Sequence, residues 1–197
     1  MPAMTEAAFT DDIPSFLEPL AGAGPITVAV MVSSVDGRAT VSGRVGELTG
    51  PADQQVLLGA REMAAAVVVG GRTVRAEGYV GLLGDDAKAR RQARGLTAEP
   101  ELVVFTRASP DPPTLWQQLR ERHPGGLIVC EGGPTLLGMI VEHRLLDQLV
   151  LCLSPQIVGD DTQKRLVQHG GELEVRLELL AATPSDGFLF LRYGLAY

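Results

Sequence analysis

A buried strand that runs into a glycine turn and then a helix carries most of the chemistry in this sequence. Residues 127–138 read Leu-Ile-Val-Cys-Glu-Gly-Gly-Pro-Thr-Leu-Leu-Gly. Gly132 and Gly133 let the backbone turn sharply and approach a ligand, and Pro134 suits the first helical position. Because the amides of that first turn and the helix dipole attract anions, the motif predicts a phosphate-binding turn. Glycine turns of this kind also occur without a ligand.

A second unit of the same kind lies earlier in the chain. The apolar run 65–69 is followed by Gly70, Gly71 and a helix-prone segment that ends near Glu77. Both glycine pairs follow strands, and open α/β sheets bind ligands at the carboxyl ends of their strands. Two such turns facing one crevice fit a single extended dinucleotide. The pattern Gly-x-Gly-x-x-Gly is absent after the first predicted strand, so a standard Rossmann domain is not expected.

Several charged or hydroxyl side chains are candidates for chemistry beside these turns. Glu131 and Asp36 fit carboxylates that handle a proton or orient a substrate, but Glu131 also fits a structural acid and Asp36 a turn former. Arg61 fits either a phosphate clamp or a surface ion pair. Thr106 and Arg107 follow another strand, where they could hold a ribose 2′-phosphate. Arg107 fits a solvated loop charge as well.

The elements that position these residues alternate between strand and helix. We predict strands over 26–33, 38–42, 65–69, 101–106, 127–130, 147–153, 173–181 and 188–197. We predict helices over 51–63, 85–95, 114–122 and 134–144, with a short one over 163–168. This order predicts an α/β fold with a mainly parallel central sheet and a C-terminal antiparallel hairpin. Residues 1–25 are predicted to be an N-terminal extension and 26–197 a single domain.

Composition narrows the classes of partner. The chain has 24 acidic and 17 basic residues and a net charge of −7, which argues against nucleic acid or an anionic membrane as a partner. Its apolar runs are too short to cross a bilayer, and residues 1–12 lack the basic start of a secretory signal, so a cytoplasmic location is expected. Two cysteines and three histidines without ligand spacing predict no metal site.

Five segments match one known family in the same order along the chain. They are Ser34-Val35-Asp36-Gly37-Arg38, Leu48-Thr49-Gly50, the glycine unit 69–77, the glycine unit 131–136, and Ser154-Pro155-Gln156-Ile157-Val158-Gly159. Over roughly residues 26–196 the chain resembles the reductase domain of bacterial riboflavin biosynthesis, which has a dihydrofolate-reductase-like three-layer fold. Bifunctional members carry a zinc deaminase domain in front. This sequence has neither the room nor the His and Cys ligands for such a domain, so it resembles a stand-alone pyrimidine reductase.

The resemblance implies NADPH-dependent hydride transfer to a small heterocyclic substrate, 5-amino-6-(5-phosphoribosylamino)uracil, whose ribosyl unit opens to a ribityl chain. Matching positions imply cofactor contacts from Ser33, Gly70, Gly71, Thr73, Glu77, Thr106 and the run 133–139, which begins Gly133, Pro134, Thr135, Leu136; Gly132 belongs to the same turn. Arg61 and Glu131 would contact the substrate. Glu77 also fits a helix cap or a solvent-facing acid. The apolar C-terminal hairpin and the family together imply a homodimer.

The sequence also departs from the family pattern at the predicted substrate site. Val45 and Glu47 stand where many members have a serine and an aromatic residue, and Leu-Leu-Gly-Asp-Asp at 82–86 stands where an arginine usually binds the substrate phosphate. A lost charge-assisted phosphate contact weakens binding by about 2 kcal/mol. Two alternatives therefore stay open: a reductase of a dihydropterin or another heterocycle, and a nucleotide-binding protein without turnover.

Overall fold

The computed structural model describes residues 8–9, 12–21, 24–77 and 81–197, and strands alternate with helices along most of this length. The strands are β1 (Ala8–Phe9), β2 (Thr27–Ser34), β3 (Ala66–Gly70), β4 (Glu101–Phe105), β5 (Ile128–Cys130), β6 (Gln148–Ser154), β7 (Arg176–Ser185) and β8 (Phe188–Ala196). The helices are α1 (Ile13–Leu17), α2 (Pro51–Met63), α3 (Gly71–Glu77), α4 (Asp85–Ala93), α5 (Pro112–Arg122) and α6 (Pro134–Glu142).

All eight strands join in one sheet with the order β1-β7-β8-β6-β2-β5-β3-β4. β6, β2, β5, β3 and β4 are parallel, whereas β8 runs antiparallel to both β6 and β7. The central strand β2 is buried along its whole length. Its alternate residues belong to two apolar clusters, one with α1 and α2 and the other with α5 and α6. This three-layer arrangement confirms the predicted fold class.

The predicted strand over residues 38–42 is wrong. In the described chain these residues take part in isolated bridges alone. Val41 and Arg44 exchange backbone hydrogen bonds of 2.9 and 2.8 Å around Ser42 and Gly43. The φ angles of Ser42 and Gly43 are 50° and 76°, so the chain reverses within two residues and no ladder can form.

The predicted short helix over residues 163–168 is also wrong, because this segment pairs with the loop after β2. The backbone N–H of Ala39 donates to the carbonyl of Lys164 at 2.7 Å, and that of Leu166 donates to the carbonyl of Gly37 at 3.0 Å. Backbone groups used across the fold in this way are not available for bonds within a helix.

The C-terminal hairpin is present with shifted bounds. β7 ends at Ser185 and not near residue 181, so the strand includes Pro184 and the turn shrinks to Asp186 and Gly187. Both turn residues have positive φ, 51° and 81°. β1 pairs with β7 at two residues that precede Pro184. The missing N–H of this proline therefore removes no hydrogen bond to β1.

The part of the chain before β2 packs on the sheet. Ile13, Phe16, Leu17 and Leu20 are all buried in the first apolar cluster. The ring of Phe16 lies edge-on to that of Phe190, with centroids 6.4 Å apart.

No helix in the described ranges is long and apolar enough to cross a bilayer. The division of the chain at residue 26 stays a prediction.

A buried arginine fixes the end of α2. Nη1 of Arg91, on α4, donates to the backbone carbonyls of Arg61, Glu62 and Ala64 at 3.2, 2.9 and 2.7 Å. These groups lie at the C-terminus of α2, where carbonyls have no partner within the helix. Arg91 is fully buried, so it replaces solvent at this helix end and holds α2 in place on the sheet.

Candidate active site

A cleft of about 320 Å³ opens where β2, β3 and β5 end. Its walls come from the end of β2 and the loop after it, one face of α2, the start of α3 and the turn after β5. It therefore lies at the carboxyl ends of parallel strands, where open α/β sheets bind ligands. Of the candidate residues, it brings together Arg61, Thr73, Glu131, Gly132, Gly133 and Pro134.

Arg61 and Glu131, both predicted to bind substrate, form a bidentate ion pair inside this cleft. Nε and Nη2 of Arg61 donate to the two carboxylate oxygens of Glu131, each at 2.6 Å. The side chains are only 10% and 5% exposed. Nη1 of Arg61 also donates to the carbonyl of Leu82 at 3.4 Å. Since Glu131 directly follows β5, the pair joins α2 to the end of this strand. The backbone N–H of Glu131 also donates to the carbonyl of Val68 on β3 at 2.9 Å.

The turn after β5 has the geometry of an anion site. Gly133 is the N-cap of α6, with φ −63° and ψ 179°, and no side chain of the described residues caps this helix. A Cβ at Gly133 would meet nothing within 4 Å, whereas one at Gly132 would lie 2.3 Å from Leu136. Gly132 is therefore needed for packing, and Gly133 leaves open space in front of uncapped amides. A phosphate group fits this arrangement.

The side chains of Thr135 and Leu136, which belong to the same predicted cofactor site, contribute less to the cleft. Leu136 is buried in the core, so only its backbone amide is available to a ligand. Thr135 is exposed, and its hydroxyl donates to Oε1 of Gln168 at 3.3 Å. Neither residue lines the cleft.

The second glycine unit reaches the cleft through Thr73. α3 begins at Gly71 directly after β3, and Thr73 lies in its first turn. A Cβ at Gly70 would lie 3.7 Å from the hydroxyl of Thr73, an ordinary contact, so sterics do not require glycine there. Glu77 ends α3, and its side chain lies outside the described residues.

Thr106 and Arg107 lie beyond the residues that line the cleft. They follow β4, which forms the edge of the sheet next to β3. Thr106 belongs to a local turn, in which its N–H donates to Oγ of Ser109 at 3.0 Å and its Oγ1 accepts from Ala108 at 3.2 Å. Both predicted residues are exposed, and their role on the cofactor ribose stays a prediction.

Asp36 organises the loops behind the cleft. Its carboxylate accepts hydrogen bonds from Oγ of Ser34 at 2.6 Å and from the amides of Val158 and Gly159 at 3.0 and 2.9 Å. These bonds hold the pKa of Asp36 well below its ordinary value. This geometry favours the turn-forming alternative. Ser33 is buried, and its hydroxyl donates to the adjacent carbonyl at 3.1 Å.

Sequence reasoning missed three polar residues of the cleft. Thr49, Asp53 and Gln54 line it at the start of α2. Asp53 is buried, and burial raises its pKa. An acid in the first turn of a helix is common because it complements the helix dipole, so its type and position alone did not indicate a site. The cleft also includes Val45, one of the departures from the family pattern.

The two cysteines are free and buried. Burial raises the pKa of Cys130 to about 12, so its thiol is not a nucleophile at neutral pH. The described ranges contain no cluster of three or more His, Cys, Asp or Glu side chains that could hold a metal ion.

The sheet and its cleft place the protein among α/β proteins with a dihydrofolate-reductase-like fold. Dihydrofolate reductase from Enterococcus faecalis, solved with NADP(H), is similar with a TM-score of 0.56 and 13% identity over 88% of this chain and 98% of that one. The chain belongs to the RibD C-terminal domain family, whose sequence model matches residues 25–187. Both findings confirm the resemblance. Membership supports assignment as an oxidoreductase of the riboflavin-pathway type.

Two further solved structures share the fold. A pyrimidine reductase-like protein from Corynebacterium diphtheriae is 21% identical, with a TM-score of 0.79 over 91% of this chain and 95% of that one. RibD from Acinetobacter baumannii is 20% identical, with a TM-score of 0.65 over 92% of this chain. The alignment spans 61% of the Acinetobacter protein, about three fifths of its length. No curated protein matches the chain in sequence.

The Glu131→Gln variant tests the ion pair. We expect it to lower the free energy of unfolding by about 3 kcal/mol, since the guanidinium of Arg61 stays buried without its countercharge. The control is Glu99→Gln, which removes one charge of a half-exposed pair with Lys88 at 3.0 Å and should change stability by less than about 1 kcal/mol. Urea unfolding measures both variants. Equal, small effects would show that the pair contributes no more than a surface contact.

Proposed function

We propose that this protein is an NADPH-dependent reductase that transfers hydride to the ribosylamino carbon of 5-amino-6-(5-phosphoribosylamino)uracil. The observation that carries the proposal is the buried Arg61–Glu131 pair beside an open glycine turn in one cleft. Membership of the RibD C-terminal domain family supports the reaction class.

The chain's own residues supply binding and orientation. NADPH, when bound, supplies the hydride, while the protein positions the reacting carbon and excludes water. In this proposal the backbone amides that follow Gly133 and the hydroxyl of Thr73 bind phosphate oxygens of the cofactor, since Gly133 and Thr73 both line the cleft. The similar Enterococcus reductase was solved with NADP(H), which supports this choice of cofactor. Glu131 and Arg61 present a paired acceptor and donor to the substrate.

The walls of the cleft favour one alternative substrate class. Val45 lines the cleft where many family members have a serine, and Leu82 and Leu83, where an arginine is usual, are buried in the core. These residues offer no charge to a substrate phosphate. A reductase of the same fold that acts on a dihydropterin or another heterocycle without a phosphate is the second candidate.

The proposal is tested by following NADPH oxidation with 5-amino-6-(5-phosphoribosylamino)uracil and, in parallel, with dihydrofolate. We expect turnover of the phosphorylated pyrimidine, because the family and the paired residues of the cleft support it. Turnover of dihydrofolate alone would replace the proposal with the second candidate. NADPH binding without turnover of either compound would leave a nucleotide-binding protein.

The cofactor site is tested separately with Gly133→Val. The added side chain would enter space that the fold leaves open, so we expect NADPH to bind at least about tenfold more weakly, a loss near 1.4 kcal/mol, while the fold is retained. The matched control is Gly84→Val, at another N-cap glycine with extended backbone (φ −77°, ψ 168°) and open space around it. Fluorescence titration with NADPH compares the two. Unchanged binding in Gly133→Val would place the cofactor elsewhere.

We also propose that the outer face of the C-terminal hairpin forms a homodimer. Leu177 and Leu179 on β7 are 47% and 40% exposed, and their partners across the strands are Leu195 and Tyr193. A cavity of about 900 Å³ lies beside them and includes Leu177 and Leu195 in its wall. An exposed apolar sheet face of this kind promotes aggregation unless another surface covers it.

Charge placed on this face should separate the subunits. We expect Leu179→Glu to sediment as a monomer, because a buried carboxylate without a partner opposes association. Leu102→Glu is the matched control, since Leu102 is also 40% exposed but lies on β4 at the far side of the sheet. Sedimentation velocity is the measurement. A wild-type protein at monomer mass would refute the dimer.

A further inference from the structure

The proposed reduction needs a proton as well as a hydride. Hydride adds to the carbon of a C=N bond in the ring-opened substrate, and the nitrogen must gain a proton when the electron pair of the double bond moves onto it. The reductant is the reduced nicotinamide cofactor of the proposed function, on which this inference rests. An acidic side chain of the cleft that carries a proton before the reaction can supply it.

Two of the carboxylates near the cleft are poorly suited to this task. Both oxygens of Glu131 accept hydrogen bonds from the guanidinium of Arg61 at 2.6 Å. Asp36 accepts three hydrogen bonds from loop residues and is not part of the cleft wall. The bonds to Asp36 favour its charged form, and both oxygens of Glu131 are already occupied by the guanidinium of Arg61.

Asp53 differs from both in its surroundings. It is the third residue of α2 and lines the cleft, yet only 6% of the residue is exposed. The thiol of Cys152, on β6, hydrogen-bonds to its carboxylate. No residue in the described ranges forms an ion pair with it, and the nearest cation along the wall, Arg61, is engaged by Glu131. Burial without a countercharge raises the pKa of Asp53.

The spacing along α2 puts this acid on the same face of the helix as Arg61, about two turns away. Asp53, Leu57 and Arg61 follow one another at intervals of four residues and all line the cleft, so they share one face of the helix. Eight residues correspond to about 12 Å of helix rise. A heterocycle with its sugar chain can therefore contact Arg61 and Glu131 at one end and Asp53 at the other.

We propose that Asp53 is the proton donor of the reduction. As hydride reaches carbon, the O–H bond of Asp53 breaks and the proton passes to the substrate nitrogen, forming N–H. The product then carries one new C–H bond and one new N–H bond. The carboxylate that remains regains a proton from water before the next turnover.

The first test is the Asp53→Asn variant, with hydride transfer measured under single-turnover conditions across pH. The wild-type rate should fall as pH rises through the pKa of Asp53, because only the protonated acid can donate. We expect the variant to be slowed at least about 100-fold, to lose this pH dependence, and to bind NADPH normally. Asp53→Glu should restore part of the rate. Asp111→Asn, which alters an exposed helix-capping acid on the other face of the sheet, should behave as wild type.

A second readout does not depend on any substrate. A pKa that is higher in the folded than in the unfolded protein makes stability fall as pH rises between the two values, since the folded state then binds more protons. The stability of wild type relative to Asp53→Asn should therefore decrease from acidic to neutral pH in urea unfolding. A difference that stays constant with pH would show that folding does not raise the pKa of Asp53, and would overturn the inference whatever the activity.

The outcomes separate this inference from the proposed function. If wild type reduces the pyrimidine and Asp53→Asn keeps its rate and pH profile, Asp53 is not the donor and the proposed function stands. If wild type does not reduce the pyrimidine while NADPH binds, the proposed function fails and the assigned proton transfer fails with it.

Discussion

The bidentate bond between Arg61 and Glu131 is the interaction on which the cleft depends. Two charges removed from water must be paired with good geometry, so this bond fixes the distance between α2 and the end of β5. Arg91 adds a second constraint by binding the carbonyls at the end of the same helix. α2 is thereby held against the sheet, and its inner face, which also carries Asp53, becomes one wall of the cleft.

The opposite wall depends on backbone geometry rather than on charged side chains. Gly133 leaves uncapped amides of α6 facing open space, and Gly132 allows the turn to pack on Leu136. Open space in front of uncapped amides is what an anionic ligand needs to approach a helix N-terminus closely. The substrate end is different in kind: the carbonyl of Leu82 is used to hold Arg61, where an arginine is usual in the family. Under the proposed function, the glycine turn would bind the cofactor, while the substrate end departs from the family pattern.

The strands and most helices were predictable because each leaves a local signal. Apolar runs bounded by glycine and proline mark the strands that the sheet buries, and the hairpin alternates between a buried and an exposed face. The two wrong elements, over residues 38–42 and 163–168, are segments whose backbone groups pair with each other across the fold. Gly138 shows the same limit: a Cβ there would lie 2.2 Å from the carbonyl of Gln168, a contact between residues thirty positions apart.

The sequence by itself determined the fold class, the family and the position of both glycine turns, because these depend on residue types at short spacing. It also supplied Arg61 and Glu131 as candidates, but not the bond between them. Tertiary structure alone decided which acids are buried: Asp36 became a loop acid with three partners, while Asp53 became a largely buried acid in the wall of the cleft. Burial and pairing set the protonation of a carboxyl group, and both arise only when distant segments pack together.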